Sequence, residues 1–379
     1  MYSKILIRYG ELVLKKKNRK EFIKQLEYNI EKITGYKPQT EFDRMYLEYN
    51  KETIQKLNYV FGISSYSPVM VVDNDLDAFK NAILQLIDPK AKTFKIAARR
   101  NYKKFELSSD QINHALGGFV LKNTNLKVDV HHPDQTFFVE VRNGRTYIFS
   151  QYIKGLGGLP TGIAGRVTHL ISGGFDSPVA AYLMMKRGVK VDFLCFLTPP
   201  QTDEKTREKI INLVKVLSRY QVSSRLYFAD YSNLMNYISF VSKPSYKINL
   251  MRRSFYRIAS KFSEKRKNLA ISNGENLGQV ASQTLESIYS IENTTLTPVL
   301  RPLITYDKND IIDIAKAIGT HGISILKANE TCELFAPKEP VTKPNIETAE
   351  KLEAELSQIF ELEDDLLMHK IEVLEIKPE

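Results

Sequence analysis

The side chains best placed to do chemistry form a glycine-rich turn, SGGFDS, at residues 172–177. It lies between an apolar run typical of a buried strand and a segment with helical spacing. Two glycines let backbone N–H groups approach a phosphate, two serine hydroxyls add donors, and the following helix directs its positive end at the anion. Asp176 would repel a phosphate unless a cation lay between them, so it indicates magnesium bound together with the phosphates. The alternative is a tight turn capped by Asp176 or Ser177.

This turn differs from the common phosphate loop, because the Walker pattern G-x-x-x-x-G-K-[ST] occurs nowhere in the chain. A turn between a strand and a helix of a parallel sheet lies outside the carboxyl ends of the strands, where such sheets bind ligands. The hexapeptide resembles the pyrophosphatase loop of enzymes that split ATP into AMP and pyrophosphate. Those enzymes activate a carbonyl oxygen as its adenylate, and a nucleophile then displaces AMP.

Other chemistries find little support in the sequence. The six histidines show no metal-ligand spacing, and there is no G-x-S-x-G nucleophile elbow. The two cysteines, Cys195 and Cys332, cannot build a disulfide framework or a four-thiolate metal site, so a reducing cytoplasm is the expected location. No apolar run reaches the roughly 18 residues of a membrane span, and no signal peptide opens the chain, so no membrane association is expected.

The part of the chain after residue 166 alternates strands with helices. Apolar runs at Val167–Ile171 and Val189–Thr198 predict buried strands, and Pro178–Arg187 predicts a helix that ends at Gly188. This alternation predicts an α/β fold with a mostly parallel, doubly wound sheet. Further strands are predicted at Arg225–Ala229, Leu269–Ser272 and Leu296–Val299, and an acidic helix at Glu347–Met368.

The first half of the chain predicts two α+β units. The first has the element order of a ferredoxin-like unit, and its long helix would start with a capping box of Asn18 and Glu21 and end at Gly35. A hairpin turn is predicted at Asn143–Gly144 in the second unit. The glycine-rich segment Gly155–Gly165 is predicted to be a hinge or linker. The predicted strands are Tyr2–Tyr9, Met45–Tyr49, Ile63–Val72, Thr93–Ala98, Leu126–Val130, Thr136–Arg142 and Thr146–Tyr152, and helices are predicted around Thr53–Val60, Leu76–Leu86 and Ile112–Leu121.

The net charge of +10 is unevenly distributed. Residues 1–166 carry 27 Lys and Arg against 17 Asp and Glu, whereas the two signs balance over the remaining residues. This asymmetry indicates a polyanion-binding module joined to a neutral one. A well-solvated basic surface is the alternative that charge alone leaves open.

Basic and aromatic residues alternate within Lys95–Lys104 and the residue that follows. Basic side chains can pair with phosphates, and exposed aromatic rings can stack on unpaired bases. The alternative is a solvated strand edge with two core aromatics. The candidate RNA contacts are Arg99, Arg100, Lys103 and Lys104, with Tyr102 and Phe105 as the aromatic residues. A second basic cluster, Lys15–Lys17 with Arg19 and Lys20, indicates a secondary contact or a solvated loop.

Several landmarks together resemble a single family, the tRNA 4-thiouridine synthetases or tRNA sulfurtransferases. They extend from Arg8 to Cys332 and therefore cover most of the chain. Each glycine cluster alone would be a weak signal, but the combination is highly specific. The landmarks are Arg8–Leu12, Gly155–Gly165, Leu170–Ser177, Gly274–Leu285 and Leu300–Leu303.

The resemblance implies a ferredoxin-like domain at residues 1–60, a THUMP RNA-binding domain at 61–165 and a pyrophosphatase-loop catalytic domain of the adenine nucleotide alpha hydrolase type at 166–379. The charge asymmetry agrees, since the basic half is the implied RNA-binding half. The resemblance also implies uridine 8 of tRNA as the substrate, ATP and Mg²⁺ as cofactors, and a homodimer.

The same resemblance implies site residues, motif by motif. Asp176 would be catalytic and would hold magnesium indirectly, together with the pyrophosphate. From the residues alone, Cys195 and Phe196 fit a strand core equally well, and adjacent arginines such as Arg252 and Arg253 are usually on the surface. The implied ATP-binding residues are Leu170, Ile171, Ser172, Gly173, Gly174, Ser177, Cys195, Phe196, Arg252, Gly274 and Gln283.

The family position of Cys332 implies that it carries the sulfur. A sulfur-transfer enzyme needs a thiolate that carries a persulfide or attacks one. The alternative for a lone cysteine is a buried, inert thiol. Some family members continue into a rhodanese domain, for which this chain leaves no room. The persulfide is therefore expected to come directly from a separate cysteine desulfurase.

The sequence as a whole predicts a cytoplasmic enzyme that adenylates O4 of uridine 8 in tRNA and replaces that oxygen with sulfur. One alternative is another pyrophosphatase-loop tRNA-modification enzyme or ligase that uses a different nucleophile, such as ammonia, and needs neither Cys332 nor the basic first half. The other is a tRNA-binding protein without catalysis, against which the intact loop argues.

Overall fold

The computed structural model describes residues 2–11, 18–280, 283–329 and 335–378. The chain divides into two compact units, residues 1–158 and 159–379. The division falls within the Gly155–Gly165 segment, in which four glycines have positive φ: 66° at Gly157, 70° at Gly158, 98° at Gly162 and 87° at Gly165. Left-handed backbone of this kind interrupts regular structure, which agrees with the predicted linker.

The N-terminal unit is built on a nine-stranded sheet with helices against it. The strand order is β2-β3-β1-β4-β8-β7-β5-β6, with β9 paired to β4. The strands are β1 (Lys4–Tyr9), β2 (Gln39–Thr40), β3 (Arg44–Glu48), β4 (Ile63–Val72), β5 (Thr93–Arg100), β6 (Lys127–Val128), β7 (Gln135–Arg142), β8 (Arg145–Phe149) and β9 (Ile153–Lys154). The helices are α1 (Arg19–Thr34), α2 (Lys51–Leu57), α3 (Leu76–Leu86) and α4 (Ser109–Asn123).

One long strand joins the two halves of this sheet. β4 pairs with β1 from Ile63 to Val69 and with β8 from Met70 to Val72. The domain boundary near residue 60 stays a prediction, because the same strand hydrogen-bonds to both halves. The predicted hairpin at Asn143–Gly144 is confirmed between β7 and β8, with Gly144 at φ 79°.

The start of α1 differs from the prediction. Asn18 stands at the N-cap, but its side chain makes no capping hydrogen bond, so the predicted capping box is wrong. Its φ of −97° and ψ of 10° lie outside the extended conformation in which an N-cap side chain turns back to the first-turn N–H groups. The predicted end of the helix is confirmed, since Gly35 is left-handed at φ 86°.

The C-terminal unit has a six-stranded sheet in the order β14-β13-β10-β11-β12-β15. All pairs are parallel except the edge pair of β12 and β15, which confirms the mostly parallel, doubly wound sheet. The strands are β10 (Arg166–Leu170), β11 (Lys190–Leu197), β12 (Ser224–Asp230), β13 (Ala270–Ser272), β14 (Val299–Leu300) and β15 (Ile371–Ile376). The helices are α5 (Asp176–Lys186), α6 (Glu204–Ser218), α7 (Ser232–Ile238), α8 (Lys247–Arg266), α9 (Leu285–Glu292), α10 (Lys308–Ile318), α11 (His321–Ser324), α12 (Ile346–Glu355) and α13 (Ile359–His369).

The tail is the clearest departure from the predicted elements. A single helix over Glu347–Met368 is wrong: α12 and α13 are separate, and β15 follows them as an antiparallel edge strand. Arg257 explains the break, because its guanidinium pairs with both Glu353 at 2.5 Å and Glu363 at 2.6 Å. In a straight helix these two glutamates would lie about 15 Å apart along the axis, so they could not meet at one guanidinium.

Candidate active site

The carboxyl edge of the C-terminal sheet holds a cavity enclosed by the loop after β10, the end of β11, helix α8 and the segment after β13. This is the edge at which open parallel sheets bind ligands. Most of the predicted ATP-binding residues line this single cavity: Leu170, Ile171, Ser172, Gly173, Ser177, Cys195, Phe196, Arg252, Gly274 and Gln283, together with Asp176. Gly174 does not line it; its carbonyl oxygen instead accepts a hydrogen bond of 3.1 Å from Ser324 Oγ on α11.

The loop is closed on itself by its two serines. Ser177 Oγ accepts a hydrogen bond from Ser172 N at 2.9 Å and donates to Ser172 O at 3.1 Å. These contacts bend the chain from the end of β10 directly into the first turn of α5. The free N–H groups at the start of α5 therefore face the same edge as the cavity, and the helix dipole favours an anion there.

A buried histidine on β10 forms hydrogen bonds to the loop and to β13. His169 on β10 is fully buried; its Nε2 lies 2.8 Å from Ser177 O and its Nδ1 lies 2.7 Å from Ser272 Oγ. Burial lowers the pKa of His169 to about 4, so the ring is neutral at physiological pH. A neutral ring that donates from Nε2 to the carbonyl accepts the serine hydroxyl at Nδ1 and ties the loop to β13.

Asp176 is held by two residues that the sequence analysis did not connect with it. Lys308 Nζ, at the start of α10, lies 2.9 Å from Asp176 Oδ1 and 3.1 Å from Oδ2, and Gln279 Nε2 lies 3.0 Å from Oδ2. The ammonium offsets the carboxylate charge beside the loop, which reduces the repulsion of a bound phosphate. Lys308 follows closely after the Leu300–Leu303 landmark, but no local pattern indicates that it reaches residue 176.

An aromatic wall forms another side of the cavity. The rings of Phe196 and Phe255 stack with centroids 4.0 Å apart and planes 1° from parallel, and Tyr231 packs edge-on against both. Cys195, on the same strand as Phe196, is 4% exposed. Flat apolar surfaces next to backbone polar groups suit a planar heterocycle such as adenine. Phe255 lies on α8, and its helical spacing was its only signal in the sequence.

Arg252 faces the cavity, contrary to the usual surface position of adjacent arginines. Its Nη2 donates to Glu275 Oε1, and Arg301 Nε donates to the other oxygen of that carboxylate at 2.6 Å. Burial favours the neutral acid, but the two arginines outweigh it and hold the pKa of Glu275 below its ordinary value. Glu275 is therefore ionised at neutral pH and keeps both guanidinium groups beside the cavity.

Gly274 makes the closest backbone approach in this site. A Cβ at this position would lie 2.5 Å from Ser177 N and 2.6 Å from Asp176 C, too close for real atoms. The segment after β13 therefore packs directly on the end of the loop, and only glycine fits without moving one of them.

Gly274→Ala is accordingly expected to displace the loop and to weaken ATP binding at least about tenfold, measured by titration calorimetry. Gly117→Ala is the matched control, because Gly117 lies within α4 and a Cβ there meets no atom within 4 Å. That control should leave ATP affinity unchanged and raise stability by about 0.5–1 kcal/mol. Equal ATP affinity in both variants would contradict the packing argument.

The described residues hold no group of three or more His, Cys, Asp or Glu side chains that could bind a metal. A cation at this site would therefore be held jointly by Asp176 and the phosphates of a ligand, as the sequence predicts for magnesium. In the same described ranges, no helix is long and apolar enough to cross a membrane.

The basic stretch of the N-terminal unit divides into two groups. Arg99, Lys103 and Lys104 are exposed, whereas Arg100 is half-buried and its Nη1 donates to Phe105 O at 3.2 Å. The aromatic part of the RNA prediction stays a prediction, because Tyr102 and Phe105 are each half-buried. Phe105 and Tyr102 pack against the hydrophobic core of β5, β7, α3 and α4, with Phe105 tilted on Phe79 at 5.8 Å, because their rings cover apolar surface between strand and helix.

Cys332 and the basic cluster Lys15–Lys17 lie outside the described residues. The segment just before Cys332 is anchored to α6 of the C-terminal unit. Asn329 O accepts a hydrogen bond of 3.1 Å from Thr206 Oγ1, and Leu326 O accepts one of 2.8 Å from the buried Lys209 Nζ. Thr206 also lines the cavity, so residue 329 is fixed at its rim.

A doubly wound parallel sheet, with this loop and this cavity at its carboxyl edge, defines the C-terminal unit as a nucleotide-binding domain of the pyrophosphatase-loop class. Sequence models of protein families match the whole arrangement. Residues 162–358 match the thiamine biosynthesis protein ThiI, residues 4–67 match the ThiI ferredoxin-like domain, and residues 73–151 match the THUMP domain. The chain belongs to the ThiI family of tRNA sulfurtransferases.

Relatives match it from end to end. A probable tRNA sulfurtransferase of Mycoplasmopsis agalactiae is 59% identical over 98% of this chain and 99% of its own length. One from Bacillus pumilus is 41% identical over 100% of this chain and 97% of its own. The crystal structure of a 4-thiouridine synthetase–RNA complex with bound ATP is 36% identical, covers 100% of both chains and superposes with a TM-score of 0.94.

Proposed function

We propose that this protein is an ATP-dependent tRNA sulfurtransferase that makes 4-thiouridine at position 8 of tRNA. The observation that carries the proposal is the single cavity in which the SGGFDS loop, the aromatic wall and Arg252 converge. Its support is a whole-length match to a 4-thiouridine synthetase solved with RNA and ATP. Each predicted ATP-binding residue except Gly174 has a place in that cavity.

In the proposed reaction, the adenine of ATP lies against Phe196 and Phe255, and its phosphates lie at the loop and the start of α5. The O4 atom of uridine 8, turned out of its stack, attacks the α-phosphate, and pyrophosphate leaves. Magnesium, held by Asp176 and the phosphates, would neutralise charge on the leaving pyrophosphate. Lys308, which binds Asp176, and Arg252, which lines the cavity, would add positive charge near the phosphates.

Sulfur delivery is proposed to use Cys332. A persulfide supplied by a cysteine desulfurase would be carried on its thiol. The terminal sulfur would attack C4 of the adenylated uridine and displace AMP, which leaves that sulfur in a disulfide with Cys332. A thiol reductant, such as the free cysteine of the reaction, would then cleave the disulfide, release 4-thiouridine and return Cys332 to a thiol. The contacts of Thr206 and Lys209 support this role, because they fix residues 326–329 at the cavity rim.

The N-terminal unit is proposed to bind the tRNA through its basic surface. Charge supports this, since the excess of Lys and Arg lies entirely in the first 166 residues. Arg99, Lys103 and Lys104 are exposed and can pair with phosphates, and Arg100 stays a candidate through its backbone-anchored guanidinium. A cytoplasmic location and a homodimer belong to the same proposal and follow from the family resemblance.

Replacing Arg99, Lys103 and Lys104 together by Gln is expected to weaken tRNA binding about 10- to 100-fold and to lower the salt dependence of log Kd by about 2–3, because phosphate contacts are lost. Filter binding over a range of salt concentrations measures both. The matched control replaces three exposed lysines of the C-terminal unit, Lys343, Lys351 and Lys370, by Gln. If both triple variants lost tRNA equally, net charge and not this surface would determine binding.

The proposed function is tested by incubating the protein with unmodified tRNA, ATP, Mg²⁺, cysteine and a cysteine desulfurase. The tRNA is then digested and 4-thiouridine is sought by chromatography and mass spectrometry. ATP-dependent appearance of 4-thiouridine, together with AMP, supports the proposal. AMP release without 4-thiouridine would leave an adenylating enzyme with another nucleophile, and the absence of both would leave a tRNA-binding protein.

A further inference from the structure

Glu275 stands at the centre of a buried hydrogen-bond cluster on the wall of the cavity. It follows Gly274 at the carboxyl end of β13, and its side chain is 2% exposed. One carboxylate oxygen accepts from Arg252, and the other accepts from Arg301 Nε at 2.6 Å and from Tyr256 OH at 2.9 Å. Asn273 Nδ2 in turn donates to Tyr256 OH at 2.6 Å, so the cluster is fixed from β13, α8 and the Leu300–Leu303 landmark.

The two arginines of this cluster have different surroundings. Arg301 has a second carboxylate partner, Glu292, at 2.7 Å, and it does not line the cavity. Arg252 lines the cavity, and its side chain is 17% exposed. A guanidinium carries five N–H donors in a planar fork, so it can bind a carboxylate on one side and a phosphate on another. The orientation of that fork then depends on the carboxylate behind it.

We infer that Glu275 is a positioning residue, which aims the guanidinium of Arg252 at the phosphates of ATP. This inference rests on the proposed use of ATP at the cavity. Glu275 does not touch the nucleotide in this account; it acts through Arg252. A long, flexible arginine side chain loses less conformational freedom on binding a phosphate when a buried partner already holds it.

The same helix provides an internal comparison. Arg253, the next residue of α8, forms a buried pair with Glu353, with Nε–Oε1 and Nη2–Oε2 distances of 2.9 Å. Neither Arg253 nor Glu353 lines the cavity. A carboxylate that only stabilises α8 should behave the same at both positions. A carboxylate that positions a ligand-binding arginine should affect ATP at residue 275 and not at residue 353.

The test measures the Kd of ATP by calorimetry, the KM for ATP and kcat for AMP release, and the Tm of each variant. Glu275→Gln is expected to raise the Kd and KM for ATP about tenfold with a smaller change in kcat. Glu353→Gln should lower the Tm and leave the Kd for ATP unchanged. In an Arg252→Met background, Glu275→Gln should change the Kd no further, because the group through which it acts is gone.

Unchanged ATP affinity in Glu275→Gln, or an effect that multiplies with that of Arg252→Met, would overturn the inference. If Glu275→Gln does not fold, Glu275→Asp keeps the charge but withdraws the carboxylate by one methylene, and the same tenfold rise in Kd is expected. Equal Kd values for wild type and Glu275→Asp would also overturn it. Failure of the wild-type protein to bind ATP would instead refute the proposed function, so the failure of that function can be distinguished from the failure of the inference about Glu275.

Discussion

Asp176→Ala is expected to lower the rate of AMP release at least about 100-fold while tRNA binding stays at its wild-type affinity. Among the residues that the structure describes, two carboxylates line the cavity, Asp176 and Glu275, and Glu275 binds two arginines. Asp176 is itself held by Lys308 and Gln279, but it belongs to the phosphate loop, so it is the carboxylate that we expect to share a magnesium ion with the phosphates. Its loss also leaves Lys308 without the acceptor that fixes its ammonium at 2.9 Å.

Asp176→Asn separates these two effects. The amide keeps an oxygen that Lys308 can donate to, but it removes the charge that a divalent cation needs, so AMP release should fall nearly as far as in Asp176→Ala. tRNA affinity is the control readout, because the excess positive charge lies in the first 166 residues. If either variant released AMP at the wild-type rate with saturating ATP and Mg²⁺, the proposed role of the loop in adenylation would be wrong.

Features that depend on consecutive residues could be predicted from the sequence. The order SGGFDS, between an apolar run and a segment with helical spacing, predicted a turn at residues 172–177. The structure has the turn there: Ser172 N donates to Ser177 Oγ, and α5 begins at Asp176. Apolar runs that alternate with helical segments predicted the parallel sheet, because strands of such a sheet are buried on both faces and are therefore apolar throughout. The turn at Asn143–Gly144 followed from the left-handed backbone that a tight hairpin needs.

Contacts between distant residues could not be predicted in this way. Lys308 reaches Asp176 across 132 positions of the chain, and Gln279 reaches it across 103. The partner of Arg252 depends on how α8 packs beside β13, which no local pattern encodes. The division of the tail likewise depends on Arg257, which binds Glu353 and Glu363 together. Such long-range geometry sets side-chain roles that propensity and periodicity do not carry.

A basic stretch with aromatic residues shows the opposite difficulty. Tyr102 and Phe105 have the residue types expected of base-stacking side chains, but their half-buried rings pack against the core of the N-terminal unit. Residue type alone does not distinguish the two, because an aromatic ring buries as much area against a core as against a base. The charges at Arg99, Lys103 and Lys104 carry no such ambiguity, since burial of an unpaired Lys or Arg is strongly unfavourable.

Cys332→Ser is expected to uncouple the two halves of the proposed reaction. The variant should bind ATP and tRNA and release AMP, since the cavity residues are unchanged, but it should make at least about 100-fold less 4-thiouridine because a hydroxyl cannot carry a persulfide. The adenylated uridine would then react with water, so AMP would appear without thiolated product. The measurement is the ratio of 4-thiouridine to AMP formed in the complete reaction with a cysteine desulfurase.

Cys195→Ser is the matched control, because it removes the second of the chain's two thiols. Cys195 is 4% exposed on β11 and lines the cavity, so its replacement can weaken ATP binding by placing a hydroxyl in an apolar setting. Both products should then fall together, and their ratio should stay at the wild-type value. If the ratio of 4-thiouridine to AMP were normal in Cys332→Ser and much lower in Cys195→Ser, then Cys195 and not Cys332 would carry the sulfur.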